Sequence, residues 1–263
     1  MIFDAISLNL CAKCNFRCIM CPQSDHLGHY KHPEIKNDDF QKLPKGIIEK
    51  KTIKNLFASF KKTKTKAEVF LIEWNGESMM HKDFAKLYEY MCKENKKRTL
   101  FDSFVLNTNA SYLNPLMNKK IIHSTKKHRQ RLILTFSLDS INQETFSKIK
   151  RTSIEIAPIL SNIKDFMIKS RGYSDIVSIV QAIVLEENLP ELHDFYEYWS
   201  RFFKKNSIKY KIIDSYGEQQ DGIYHYIYFR TLSPEDIGNK LMKRFEPIKK
   251  KIMEKEAIIN NIS

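Results

Sequence analysis

The chain has 263 residues, 42% hydrophobic and 29% charged, the balance of a globular protein with one sizeable core or two small domains. That composition excludes a disordered or collagen-like chain, and no run approaches the roughly eighteen uncharged apolar residues of a membrane-spanning helix. The net charge of +13, from 44 Lys and Arg against 31 Asp and Glu, raises an acidic partner such as nucleic acid, but the lysines are spread along helical stretches of a Lys-, Ile- and Asn-rich chain and read as compositional bias.

Met1-Ile2-Phe3-Asp4 lacks the basic segment and cleavage site of a signal peptide, so a cytoplasmic protein is expected. The first strand candidate is Ile2–Leu10. After it comes Cys11-Ala-Lys-Cys14-Asn-Phe-Arg-Cys18-Ile-Met-Cys21-Pro22, which holds four of the five cysteines. In a reducing compartment such a cluster reads as metal-binding. Cys14, Cys18 and Cys21, spaced C-x3-C-x2-C, suit three irons of a 4Fe–4S cluster whose fourth iron stays open to a small molecule. Cys11, Cys14, Cys18 and Cys21 together suit a closed zinc site, although the gap between the two C-x2-C pairs is short. A closed four-cysteine electron-transfer cluster fits less well, because the ferredoxin spacing is not met.

Further strands are predicted at Ala67–Asn75, Ser103–Thr108, Leu132–Asp139, Ile176–Leu185 and Ile208–Asp214, nearly continuous apolar runs as in strands buried on both faces. Phe84, Leu87, Tyr88 and Met91 mark one helix, with Cys92 in its core, and Leu192, Phe195, Tyr196, Trp199 and Phe203 another. Ile237, Leu241, Phe245, Ile248 and Ile252 mark a helix within Pro234–Ser263. Six strands alternating with helices predict a parallel α/β sheet or an open (β/α) barrel, whose site sits at the C-terminal ends of the strands. Residues with suggestive chemistry fall there: the cysteines after strand one, Gly76 and Glu77 after strand two, Asn109 after strand three, Ser137 and Asp139 at the end of strand four, and Glu186, Glu187 and Asn188 after strand five.

Cys14-Asn-Phe-Arg-Cys18-Ile-Met-Cys21, preceded by a strand, resembles the signature of the radical S-adenosylmethionine (SAM) enzymes, with Met20 as the apolar residue before the last cysteine. The resemblance runs to about residue 214. It implies an α/β fold, a partial (β/α)6 TIM-like barrel of parallel strands over residues 1–225, with a C-terminal helical extension over 226–263. It implies a 4Fe–4S cluster on Cys14, Cys18 and Cys21, SAM as the second cofactor, and a flavodoxin- or ferredoxin-like electron donor. The reaction implied is reductive SAM cleavage to a 5′-deoxyadenosyl radical that abstracts a hydrogen from a peptide, protein or small metabolite. Nucleic-acid and membrane partners are not expected.

Residue by residue, Asn75-Gly76-Glu77-Ser78 looks like the family's Gly-Gly-Glu-Pro turn, which receives the SAM amine; Asn75 and Ser78 depart from it. Asn107-Thr108-Asn109-Ala110 is similar to a strand-ending Thr-Asn-Gly, with Ala110 in place of glycine; the alternative is an Asx turn. Ser137 and Asp139 resemble a Ser-x-Asp that holds the SAM ribose; the alternative is a helix N-cap from Asp139 or Ser140. Arg151 resembles an arginine on the SAM carboxylate, with Lys150 as alternative, and Asn188 an asparagine near the adenine. Cys11 reads as a packing residue. His26, His29 and His32 read as loop histidines rather than a second metal site, and His26, Glu187 and Asp214–Gln220 are candidate substrate contacts by position. No cysteine follows Cys92, so the expectation is a single-cluster member without an auxiliary-cluster domain, the alternative being a truncated relative. Two rivals remain at this point: a zinc-dependent nucleic-acid-binding module on the four cysteines, and a family member that holds the cluster without turnover, motivated by the departures at Asn75, Ser78 and Ala110.

Overall fold

Apolar runs and amphipathic stretches alternate along the chain, and in the computed structural model they form parallel strands joined by helices. Residues 2–21, 46–72, 76–213, 224–232 and 235–260 are described. The strands are β1 (Ile2–Ser7), β2 (Lys66–Leu71), β3 (Phe101–Thr108), β4 (Leu132–Ser137), β5 (Ile176–Ile183), β6 (Lys211–Ile213) and β7 (His225–Arg230). The helices are α1 (Lys50–Thr63), α2 (Phe84–Glu94), α3 (Pro115–His128), α4 (Gln143–Lys150), α5 (Ile156–Ser170), α6 (Leu192–Lys205) and α7 (Glu235–Asn260). The strand order is β1-β2-β3-β4-β5-β7-β6, an α/β sheet that is not a closed barrel. Parallel register sets Ser7 beside Leu71, Leu71 beside Val105, and Val105 beside Ile133.

Among the described residues the sheet has seven strands, against the six expected. The additional one, β7, pairs in parallel with β6 and precedes the C-terminal helix α7. Strand ends are also shorter than the apolar runs. β4 stops at Ser137, and Asp139 beyond it takes a left-handed backbone, φ 67°.

Residue contacts group the chain into two units. The first comprises Met1–Asn15, Leu43–Ser137 and Ala157–Ile179; the second comprises Phe16–Lys42, Leu138–Ile156 and Val180–Ser263. In the first, Phe57 of α1, Phe70 of β2 and Phe101 and Phe104 of β3 are fully buried, with Phe70 stacked on Phe101 at 4.5 Å. Burying a phenylalanine contributes about 1.5–3 kcal/mol, so this cluster fastens the helices to one sheet face. α3 starts cleanly because Pro115 opens it and the Asn114 side chain accepts from Leu116 N (3.1 Å) and Met117 N (2.9 Å). At the far ends of these strands, buried Asn95 bonds Phe101 O and Gln130 and accepts from Leu100 N and Phe101 N, satisfying a turn that would otherwise carry orphaned groups.

In the second unit, α6 buries Phe195, Tyr196, Trp199 and Phe203, the stripe read from the sequence. α7 presents Leu241, Phe245 and Ile252 as buried residues, with Phe245 against Phe229 of β7 at 4.9 Å. Tyr196 and Tyr210 both donate to Glu256 of α7, and burial followed by this bond pushes both phenols well up.

Candidate active site

The loop after β1 is built around its cysteines. Cys11 is 1% exposed, in a β-bridge to Ile47, and its thiol donates to Lys13 O at 3.7 Å. It packs, as expected. Cys14, Cys18 and Cys21 are half-buried cysteines outside any disulfide. The turn after β2 docks on this loop: Glu77 N donates to Lys13 O at 2.8 Å. Gly76 sits at φ 95°, and a Cβ there would lie 2.3 Å from Cys11 O and 2.7 Å from Ala12 C. The glycine is therefore required by the approach of the cysteine loop itself.

Glu77 is 1% exposed. Its carboxylate accepts from Met79 N (3.0 Å), Thr108 Oγ1 (3.0 Å) and Asn109 N (2.8 Å). The side chain that was expected to face the SAM amine thus ties the β2 turn to the end of β3. Ser78, in place of proline, is buried and donates to Ile72 O at 2.6 Å. Ala110, in place of glycine, adopts φ 62° with Ala110 N on Thr108 Oγ1 at 3.0 Å. The strain at that position, about 1–2 kcal/mol, is borne by the surrounding bonds, so both departures are accommodated.

Asn109, 8% exposed, ends β3 beside the loop. Its Oδ1 accepts from Ser111 N (3.0 Å), the Asx turn named as the alternative reading, and from Ser111 Oγ (2.6 Å). Its Nδ2 donates to Asn15 Oδ1 (2.9 Å) and toward Cys14 Sγ (3.7 Å). Asn15 Nδ2 donates to Ser111 Oγ at 2.9 Å and completes a ring. Asn15 and Ser111 were not singled out in the sequence, although Asn15 lies inside the cysteine motif.

In the second unit, Cys21 N donates to Cys18 O at 3.0 Å, a tight turn that contains buried Met20. On either side of Cys18, Arg17 N donates to Lys150 O (3.1 Å) and Ile19 N to Ile149 O (2.9 Å). These are the terminal carbonyls of α4, which a helix leaves without partners of its own. Phe16 meets Phe146 of α4 edge-on at 5.8 Å. Lys150 itself is buried and donates to Asp139 Oδ2 at 2.6 Å, while Asp139 Oδ1 accepts from Ile183 N at 2.8 Å. Asn188, fully buried, accepts from Leu185 N and donates to Asp139 O (2.7 Å) and Ile183 O (2.8 Å). Neither Asp139 nor Ser140 caps α4; Asn142 does, accepting from Glu144 N and Thr145 N.

Ser137 is half-buried at the end of β4, and Arg151 is exposed at the left-handed C-cap of α4. With Lys150 locked to Asp139, Arg151 is the accessible cation of the pair. Asn75, His26, His29, His32 and Asp214–Gln220 lie outside the described residues. Among the described residues no three His, Cys, Asp or Glu side chains gather round one point. One zinc ion needs such convergence, whereas a cuboidal cluster takes each thiolate on a different iron. Cys11, bonded to Lys13 O and buried, stands apart in environment from the half-buried Cys14, Cys18 and Cys21.

No family model matches the chain. Over 149 residues, 57% of its length, it is 26% identical to the antilisterial bacteriocin subtilosin biosynthesis protein AlbA of Bacillus subtilis (strain 168), and covers 30% of that protein. Its fold is similar to that of anSMEcpe with bound AdoMet (TM-score 0.54, 13% identity, 88% of this chain and 51% of that one). It is similar too to the FeFe-hydrogenase maturase HydG from Carboxydothermus hydrogenoformans (TM-score 0.52, 12% identity, 94% and 52%). The chain thus spans about half of these structures and less of the curated relative. The three-cysteine motif after β1, the fold of these AdoMet-related structures and this biosynthesis protein are what the chain is similar to, and the likeness is to radical SAM enzymes.

Proposed function

We propose that the chain is a reductive SAM-cleaving enzyme in which Cys14, Cys18 and Cys21 ligate three irons of a 4Fe–4S cluster and leave the fourth to SAM. The observation that carries this is the C-x3-C-x2-C loop, backed by the Asn109 amide on Cys14 and by α4 on both sides of Cys18. When bound, the cluster would supply the electron for reductive cleavage of SAM, the chemistry that would initiate hydrogen abstraction from the substrate.

The residues of the chain hold and orient. The main-chain carbonyl of Gly76 suits the SAM ammonium, because the Glu77 carboxylate is occupied by Met79 N, Thr108 and Asn109 N. Ser137 offers a hydroxyl to the ribose. Arg151 offers a fork to the carboxylate. Asp139 and Asn188 serve by fixing the chain beyond β4 and β5 rather than by touching SAM. The likeness to a bacteriocin-biosynthesis protein supports a peptide substrate, and a low-potential carrier of flavodoxin or ferredoxin type the electron supply. A cluster on thiolate ligands suits a reducing compartment such as the cytoplasm, and no described helix is long and apolar enough to cross a membrane.

The test is anaerobic incubation of the reconstituted protein with SAM and dithionite. Release of 5′-deoxyadenosine, abolished in Cys18→Ala, supports the reading. SAM binding without release contradicts it and returns the non-catalytic alternative.

A further inference from the structure

We propose that Asn109 sets the reduction potential of the cluster by donating a hydrogen bond to the Cys14 sulfur; this rests on Cys14 being a cluster ligand. The geometry fixes which way the amide points. Ser111 N is a donor only, and it sits 3.0 Å from Asn109 Oδ1, so that atom is the carbonyl oxygen and its partner the amine. The ring then has one consistent direction: Asn109 Nδ2 to Asn15 Oδ1 (2.9 Å), Asn15 Nδ2 to Ser111 Oγ (2.9 Å), and Ser111 Oγ to Asn109 Oδ1 (2.6 Å). One amine proton of Asn109 is used in that ring. The other is left for Cys14 Sγ at 3.7 Å.

The donor is also held from behind. Asn109 N is bonded to the buried Glu77 carboxylate at 2.8 Å. Glu77 is in turn held by Thr108 Oγ1 and Met79 N. Burial at 8% exposure lowers the local dielectric and strengthens the N–H···S contact. Reduction adds negative charge to the cluster and its thiolates, so a donor to sulfur stabilises the reduced form more than the oxidised one and raises the potential. Asn109 is thus a positioning and tuning residue.

Potentiometric titration followed by EPR tests this on reconstituted parent, Asn109→Leu and Ser111→Ala. Asn109→Leu is expected to keep its iron but to favour the oxidised cluster about tenfold, a shift of about 59 mV to more negative potential. Ser111→Ala, which keeps the donor but unlocks the ring, is expected to shift the same way by less. In the parent, an exchangeable proton coupled to the cluster should be seen by deuterium-exchange ENDOR and be lost in Asn109→Leu. An iron-replete Asn109→Leu with the parent potential and an unchanged proton coupling overturns the proposal. If Asn109→Leu holds no cluster, Ser111→Ala decides, and an unchanged potential there overturns it. A parent that takes up no 4Fe–4S cluster instead overturns the functional reading beneath it.

Discussion

Single residues in this molecule are committed to more than the sequence motifs imply. Gly76 carries the clearest demand, because its Cβ would fall 2.3 Å from Cys11 O at a φ of 95°. Gly76→Ala is expected to cost about 3 kcal/mol or more, read by chemical denaturation, and to lower iron content by displacing the cysteine loop. Retention of both full stability and full iron would contradict the docking described. Glu77 and Asp139 teach the complementary lesson. Their types and positions were legible as site carboxylates, but the sequence could not say that each faces inward, on Thr108 and Asn109 N in one case and Lys150 and Ile183 N in the other. That choice depends on donors distant in sequence, and no spacing rule reports them.

At the scale of elements, α4 is the support of the cysteine loop. Its last carbonyls receive Arg17 N and Ile19 N, and its final side chain is anchored by Asp139. Lys150→Met leaves a buried carboxylate without its partner and is expected to cost about 3–5 kcal/mol in urea unfolding. Asp139→Asn with Lys150→Met removes both charges and should recover most of that loss. A single variant as stable as the parent would show that the pair is not buried in solution. β7 makes a different prediction. His225 is 4% exposed, its Nδ1 lacks a partner among the described residues, and burial pushes its imidazole down to about 4 from 6.5. The unfolded chain therefore binds the proton first as pH falls. Stability from this group is complete above about pH 6.5 and declines by about 3 kcal/mol on the way to pH 4. His225→Phe should flatten that part of the stability profile, and an unchanged slope would contradict the burial.

The same strand shows where element reading stopped short. The runs at β2 to β5 were legible because both faces are covered and the sequence is apolar almost without break. β7 carried a signal in Tyr226, Ile227, Tyr228 and Phe229, β-favouring residues now seen buried. It stands alone before a long amphipathic helix, and its pairing with β6 is a property of the folded chain only.

For the whole molecule, the parallel topology explains why a few short motifs far apart in sequence share one kind of position. Each follows its own strand at the C-terminal end, so strand prediction and site prediction supported each other. The excess of positive charge was not informative in the same way. The described lysines and arginines include pairs on the surface, such as Lys127 with Glu89 and Lys169 with Asp165, whose contribution to stability is small. The central claim concerns three cysteines and an open iron. Anaerobic reconstitution with iron and sulfide analysis, followed by EPR of the dithionite-reduced protein with and without SAM, tests it most directly. The account predicts about four iron and four sulfide per chain, with a reduced-cluster signal that changes when SAM is added and is absent in Cys18→Ala. A colourless protein holding one zinc per chain, or a cluster signal indifferent to SAM, would contradict it.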